Sequence, residues 1–143
     1  MRYIKSCGFV VYKELNDKRL YLIIRTSNGE YGFPKGHVEN NETEHETAIR
    51  ELKEETNIEV QIVDGFRRKI EYMFPNKEDV IKIAVYFIGK CIKDDIVCQE
   101  SELLEAMFVP IETALELLSF DDTKGILKEA DGYVSSLSNC CCK

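Results

Sequence analysis

Between Gly36 and Ile58 the chain reads GHVENNETEHETAIRELKEETNI, and three carboxylates, Glu51, Glu54 and Glu55, fall within five consecutive positions of a segment patterned for a helix. Thr43-Glu44-His45-Glu46 has the form of a capping box, with Thr43 as N-cap and Glu46 reaching back to it. Ala48, Ile49 and Leu52 supply a modest apolar stripe. Asn57 suits a helix stop, because asparagine tolerates the left-handed conformation that ends many helices; it suits an ordinary polar loop equally well. At about 100° per residue the three glutamates span roughly 100° of arc. Like charges this close raise one another's pKa and weaken the helix. Two arrangements relieve the conflict: a fully solvated acidic face, or a hard divalent cation, since Mg²⁺ and Mn²⁺ favour carboxylate, carbonyl and water oxygens.

The spacing around the cluster favours the cation. Gly36 stands six positions before Glu42, and Glu42 eight before Arg50, which adjoins the acids. A solvated charged face has no need of a glycine, a leading acid and an arginine at fixed distances. The stretch resembles the Nudix box, G-x5-E-x7-R-E-U-x-E-E-x-G-U with U aliphatic, through Gly36, Glu42, Arg50, Glu51, Leu52, Glu54, Glu55, Asn57 and Ile58. Asn57 in place of the second glycine is the one departure, and asparagine is the next-best residue for positive φ.

That resemblance implies an α/β/α sandwich around a mixed β-sheet, with the box helix and a C-terminal helix. It implies hydrolysis of a nucleoside diphosphate linked to another group. In that picture Glu51, Glu54 and Glu55 hold Mg²⁺, with Mn²⁺ as a substitute, and the Gly36 carbonyl joins them. Glu51 also steers or deprotonates the attacking water. Arg50 orients a glutamate through a bidentate pair, with Glu42 as supporting acid; a purely structural Glu42–Arg50 ion pair is the competing reading. Family members often add one more acid from a late loop. Glu102, six residues before Phe108, has the matching spacing, with Glu100 and Glu105 as competitors.

The flank Gly32-Phe33-Pro34-Lys35-Gly36-His37-Val38-Glu39 is similar to the GFPKGHVE stretch of diadenosine tetraphosphate hydrolases, which cut asymmetrically to ATP and AMP. The expected partner is therefore a small-molecule nucleoside polyphosphate. Lys35 would offer a point charge to a phosphate, and His37 a donor to a phosphate or leaving oxygen. Tyr86 would stack on an adenine or serve as a core tyrosine. Arg67, Arg68 and Lys69 would meet outer phosphates or form a solvated face. Competing substrates are an oxidised nucleoside triphosphate, the 5′ triphosphate of an RNA and a diphosphoinositol phosphate. A Nudix domain that binds nucleotide without turnover is the reading from another class.

Outside the box the pattern is α+β, strands early and helices in the middle and at the end. Strands are expected at 3–12, 20–25, 58–63, 66–74, 80–88 and 105–109, and helices at 111–118 and 123–137. Asn16-Asp17-Lys18 marks a hairpin with a longer loop, and Phe74–Asp79 a turn. At 143 residues the chain is expected to be one domain over 1–138, with 139–143 a disordered tail carrying Cys140, Cys141 and Cys142. Cys7, Cys91 and Cys98 are scattered without a metal-ligand spacing. A formal charge of −7 excludes a general nucleic-acid binder, an RNA 5′ end excepted. No apolar run approaches the roughly 20 residues of a membrane span, and Lys13 and Glu14 interrupt the N-terminal apolar stretch, so a cytoplasmic protein is expected.

Overall fold

The computed structural model describes residues 2–73, 80–97 and 103–141, with the backbone alone at 72–73 and 138–141. The expected turn at Phe74–Asp79 therefore lies outside the described residues, as do Cys98 and Cys142.

Strands β1 (Arg2–Leu15) and β2 (Lys18–Thr26) form a hairpin in which Leu15 faces Lys18. Only Asn16 and Asp17 separate them, at φ of 52° and 66°. Two left-handed residues make the tight turn whose twist matches the strands it joins, so the longer loop expected from the sequence is not needed. β1 then serves as the central strand. One edge pairs in parallel with β6 (Val80–Lys93), from Arg2↔Val80 to Tyr12↔Lys90. The other edge is shared: its second half takes β2, and its first half takes β4 (Lys35–His37), with Gly8 opposite Lys35 and Cys7 opposite Gly36. Gly8 makes this possible, because a side chain there would collide with the Pro34 carbonyl and the Lys35 Cβ.

β3 (Tyr31–Gly32) and β7 (Leu103–Pro110) both pair with β2, and β5 (Glu59–Met73) pairs with β6. The sequence pattern suggests two strands at 58–63 and 66–74. They are one strand whose pairing with β6 slips between Val63 and Arg68. Both halves keep the same partner, and the Tyr133 hydroxyl donates to the Asp64 carbonyl inside the slip at 2.7 Å.

Helices cover both faces of this sheet, and the alternation along β1 and β6 shows how. Cys7, Phe9, Val11, Val85 and Phe87 pack with Ala48, Leu52 and Ile58 of α1 (Glu44–Thr56) and the residues that follow it. Val10, Tyr12, Ala84, Tyr86 and Ile88 pack with α2 (Ile111–Leu117) and α3 (Asp121–Cys141), through Ala114, Ile126, Leu127, Ala130 and Val134. A strand covered on both sides must be apolar throughout, which is why β6 reads as a continuous hydrophobic run. The result is the expected α/β/α sandwich. α3 keeps its helical backbone four residues beyond Leu137, the end expected from the side-chain spacing. Among the described residues no helix is long and apolar enough to cross a membrane.

α3 is fastened to the hairpin by a polar cluster at the edge of the core. The Tyr21 hydroxyl donates to Asp131 Oδ1 at 2.5 Å, and Arg19 donates to the same oxygen at 3.0 Å and to Ser135 Oγ at 2.9 Å. Burial, reinforced by Asp131, pushes the Tyr21 phenol far above its usual range, so it stays a donor. Truncating Asp131 removes the acceptor from two donors that have little access to water. Asp131→Ala is expected to lower unfolding stability by about 1–3 kcal/mol, with Asp131→Asn milder, as measured by urea denaturation.

Candidate active site

α1 begins and ends as its local sequence dictates. Thr43 Oγ1 accepts from the Glu46 N–H at 3.1 Å, and the Glu46 carboxylate accepts from the Thr43 N–H at 2.8 Å. Asn57 closes the helix in the left-handed region at φ 64°. Ala48 and Leu52 are buried, but Ile49 is 46% exposed. One residue step turns a helical side chain by about 100°, which carries Ile49 off the apolar stripe.

Arg50 is the hub of the site. Its Nε and one terminal nitrogen bind Glu42 in bidentate fashion at 2.6 and 3.0 Å. The other terminal nitrogen donates to Glu51 and Glu54, both at 2.9 Å. A further bond reaches the His37 carbonyl at 3.0 Å. Glu42 also accepts from the Glu39 N–H at 3.0 Å and from the Thr47 hydroxyl at 2.9 Å. Hydrogen bonds from Arg50 above all hold the Glu42 carboxyl down at about 2. The same carboxylates, Glu42 first, raise the Arg50 guanidinium beyond its ordinary range.

Gly36 lies against Glu51 so closely that a Cβ would overlap the Glu51 carboxylate. This glycine is a steric requirement of the site. Gly36, Glu51 and Glu55 all line a cleft of about 840 Å³. Glu55 is 7% exposed, Glu51 14% in its side chain and Glu54 54%. Glu54 is absent from the cleft wall and turns toward Arg50 and solvent. Among the described residues, no three acidic, histidine or cysteine side chains converge on one point in this arrangement.

Lys35 and Tyr86 line the same cleft. Tyr86 is 1% exposed and packs edge-on against Phe33, with ring centroids 5.5 Å apart, so it is at once a core tyrosine and the cleft floor. Lys35 keeps solvent contact along its side chain, but desolvation in the cleft holds its ammonium below the ordinary lysine range; Glu55 and Glu30 oppose the fall and Lys82 adds to it. His37 does not line the cleft, and its contribution here is the backbone carbonyl taken by Arg50. Arg67 pairs with Glu44, Arg68 with Glu129 and Lys69 with Glu71, all away from the cleft. Glu100 and Glu102 lie outside the described residues, though Leu103, the next residue, lines the cleft. Glu105 sits 4.0 Å from Arg25 and outside the cleft wall.

Among the cleft residues that escape a reading of the sequence are Lys82, Tyr31, Phe120, Glu30 and Asp122. Lys82 is the lone cation inside the apolar run of β6, a signal that could have been noticed. Phe120 is 48% exposed and follows a short helix, and nothing local distinguishes it.

The NUDIX domain family model matches residues 6–129. The asymmetrical bis(5′-nucleosyl)-tetraphosphatase of Sus scrofa is 27% identical over 147 residues, covering 94% of this chain and 98% of its own. The crystal structure of a Caenorhabditis elegans Ap4A hydrolase binary complex superposes with a TM-score of 0.84 at 26% identity, over 93% of this chain and 98% of that one. The NUDIX domain of Shewanella oneidensis NrtR, solved with ADP ribose, shares the fold at a TM-score of 0.72 and 15% identity, over 94% of this chain and 90% of that one.

The depressed Glu42 carboxyl has a consequence for stability. A group whose folded pKa lies below its unfolded value, here about 2 against 4.5, stabilises the fold fully above the higher value and loses that contribution as pH falls toward the lower. The thermal midpoint is therefore expected to fall between about pH 5 and pH 2, and Glu42→Gln to flatten part of that fall. A variant with the same acid dependence as the wild type would show that Arg50 does not hold Glu42 in solution.

Proposed function

This chain belongs to the NUDIX domain family, and we propose that it is a Mg²⁺-dependent hydrolase that cuts diadenosine tetraphosphate asymmetrically to ATP and AMP. The observation that carries this reading is the make-up of the cleft. Glu51, Glu55 and Gly36, the lysines Lys35 and Lys82, and the aromatic residues Tyr31, Tyr86 and Phe120 share one wall. That set of surfaces suits a metal-bound phosphoanhydride, a run of phosphates and a nucleobase. The likeness to asymmetrical tetraphosphatases over nearly the whole chain supports the choice of substrate.

The family generally uses divalent metal ions, and the chemistry of the donors suits one, although Glu54 here turns toward Arg50 and solvent. Glu51, Glu54, Glu55 and the Gly36 carbonyl are hard oxygen donors of the kind Mg²⁺ and Mn²⁺ prefer. The missing side chain at Gly36 leaves room for the Glu51 carboxylate beside the backbone. When bound, the cation would neutralise phosphate oxygens and lower the pKa of water.

The protein's own groups divide the remaining work. Glu51 steers the attacking water or takes its proton, and Arg50 fixes the direction of its carboxylate at 2.9 Å. Glu42 holds Arg50 in that pose. Lys35 supplies positive charge for the phosphates beyond the scissile bond; Tyr86, at 1% exposure, lines the cleft as a core ring, and the more accessible rings of Tyr31 and Phe120 are offered to the base. His37 contributes through its carbonyl, which fixes the loop against Arg50. Glu102, which immediately precedes Leu103 of the cleft wall, is proposed as the additional acid.

Incubation with Mg²⁺ and diadenosine tetraphosphate, followed by chromatography, is expected to give ATP and AMP, and EDTA to stop the reaction. Two ADP molecules, or no product, would count against the reading. Glu55→Gln removes a carboxylate where phosphoryl charge develops and is expected to lower kcat at least about 10²-fold. Its thermal midpoint should stay near the wild-type value. Near-normal turnover in this variant would sink the assignment of the acidic helix.

A further inference from the structure

Part of the cleft wall is built by two segments far apart in sequence. The Tyr31 N–H donates to Ser119 Oγ at 2.9 Å, and the Ser119 N–H returns a bond to the Tyr31 carbonyl at 3.2 Å. The turn before Tyr31 is closed by bonds from the Thr26 N–H to the Glu30 carbonyl and from the Gly29 N–H to the Thr26 carbonyl, both 2.8 Å. On the other side Phe120 is fixed at the start of α3, its carbonyl accepting from the Thr123 hydroxyl at 2.9 Å and the Lys124 N–H at 3.2 Å. This clip brings two acids, Glu30 and Asp122, into one cleft wall beside the rings of Tyr31 and Phe120. Among the described residues neither acid has an ion-pair partner within 4 Å, whereas most other acids of the surface do.

Charge of both signs therefore lines the cleft. Glu51 and Glu55, Lys35 and Lys82, and Glu30 and Asp122 all belong to its wall. Lys35 feels both Glu55 and Glu30, which oppose the desolvation that lowers it. The N-terminus of a helix ordinarily attracts phosphate through its free N–H groups and dipole. In α3 that end carries Asp121 and Asp122 and has lost this attraction. A free phosphate beside Tyr31 and Phe120 would face two carboxylates that, among the described residues, have no cation within 4 Å. A nucleoside would bring no charge, a ring for Tyr31 and Phe120, and hydroxyl or amino donors for carboxylate acceptors.

We propose that Glu30 and Asp122 are specificity-determining residues that admit a polyphosphate capped by a nucleoside and reject one that ends in free phosphate. Rejection of this kind works by leaving the wrong ligand with an uncompensated repulsion. The inference rests on the nucleotide-polyphosphate reading of the cleft and adds which end groups it tolerates.

The test is binding, which does not depend on turnover. Wild type and the double variant Glu30→Gln/Asp122→Asn are titrated calorimetrically in Mg²⁺ buffer with two probes: a methylene-bridged, non-hydrolysable diadenosine tetraphosphate, and inorganic tetraphosphate. The variant is expected to bind inorganic tetraphosphate at least about tenfold more tightly, while the dinucleotide analogue binds no more tightly than to the wild type. Asp121→Asn, on the same helix but outside the cleft wall, is expected to leave the ratio of the two affinities unchanged. Equal tightening of both probes would reveal only a general field and overturn the proposal. So would an unchanged tetraphosphate affinity, a matching shift in Asp121→Asn, or a wild type that binds neither probe. Hydrolysis of diadenosine tetraphosphate by the same wild-type preparation separates the two readings. Turnover without the shift in ratio defeats the specificity assignment alone, and the shift without turnover defeats the hydrolase assignment alone.

Discussion

The guanidinium of Arg50 is the contact on which the rest of the site depends. It makes five hydrogen bonds, to Glu42 twice, to Glu51, to Glu54 and to the His37 carbonyl. Three of its partners are carboxylates that would otherwise repel one another across the second half of α1 and the loop before the helix. A planar fork of donors serves several anions at once in a way that an ammonium does not. The same contacts tie β4 to the helix, because His37 ends that strand. The side chain that offsets the charge of the cluster thus also sets the distance between Gly36 and Glu51.

β1 carries that arrangement into the sheet. Gly8 is opposite Lys35 on one side and opposite Tyr86 on the other. The cleft's lysine and its floor are therefore fixed by backbone register on either side of one residue. A one-residue slip would send every side chain of a strand to the opposite face. Both faces here are buried under helices, so such a slip would cost the packing of an entire layer. α1 packs on one face of the sheet, and Tyr86 of the cleft wall belongs to the other. The sheet's register is what makes them meet at its edge.

The parts of this site that were legible in the sequence are those governed by local rules. A capping box, a left-handed stop at Asn57 and a fixed run from Gly36 to Glu55 each express physics that acts within a turn or two of chain. The order of strands and helices was legible for the same reason. What the chain does not announce depends on register and on distant pairing. Arg67 and Arg68 read as a basic patch, yet their partners lie 23 and 61 residues away. Ile49 looks apolar enough to be core, but its angular position on the helix leaves it exposed. Lys82, Tyr31 and Phe120 enter the cleft only through strand pairing and the clip at Ser119. Both the tight Asn16-Asp17 turn and the single slipped strand β5 depend on which partner strand is available, which periodicity alone does not give.

Charge balance links the metal to binding as well as to chemistry. The cleft wall contains four acids, Glu30, Glu51, Glu55 and Asp122, against two lysines, Lys35 and Lys82. The whole chain carries a formal charge of −7. A polyphosphate approaching such a protein meets an unfavourable field at long range and a net negative wall at short range. Two lysines do not reverse that balance, and one of them is held below its ordinary range by desolvation. A substrate of this kind binds in such a cleft only when it arrives with divalent cations or finds them on the acidic helix, since a bound cation inverts the local field. The acidic helix then has two tasks under the proposed function. It would gather the charge that makes water reactive, and with Lys35 and Lys82 it would make the cleft attractive to phosphate once cations are bound. The choice of which anhydride is cut would then begin with where the cations are held.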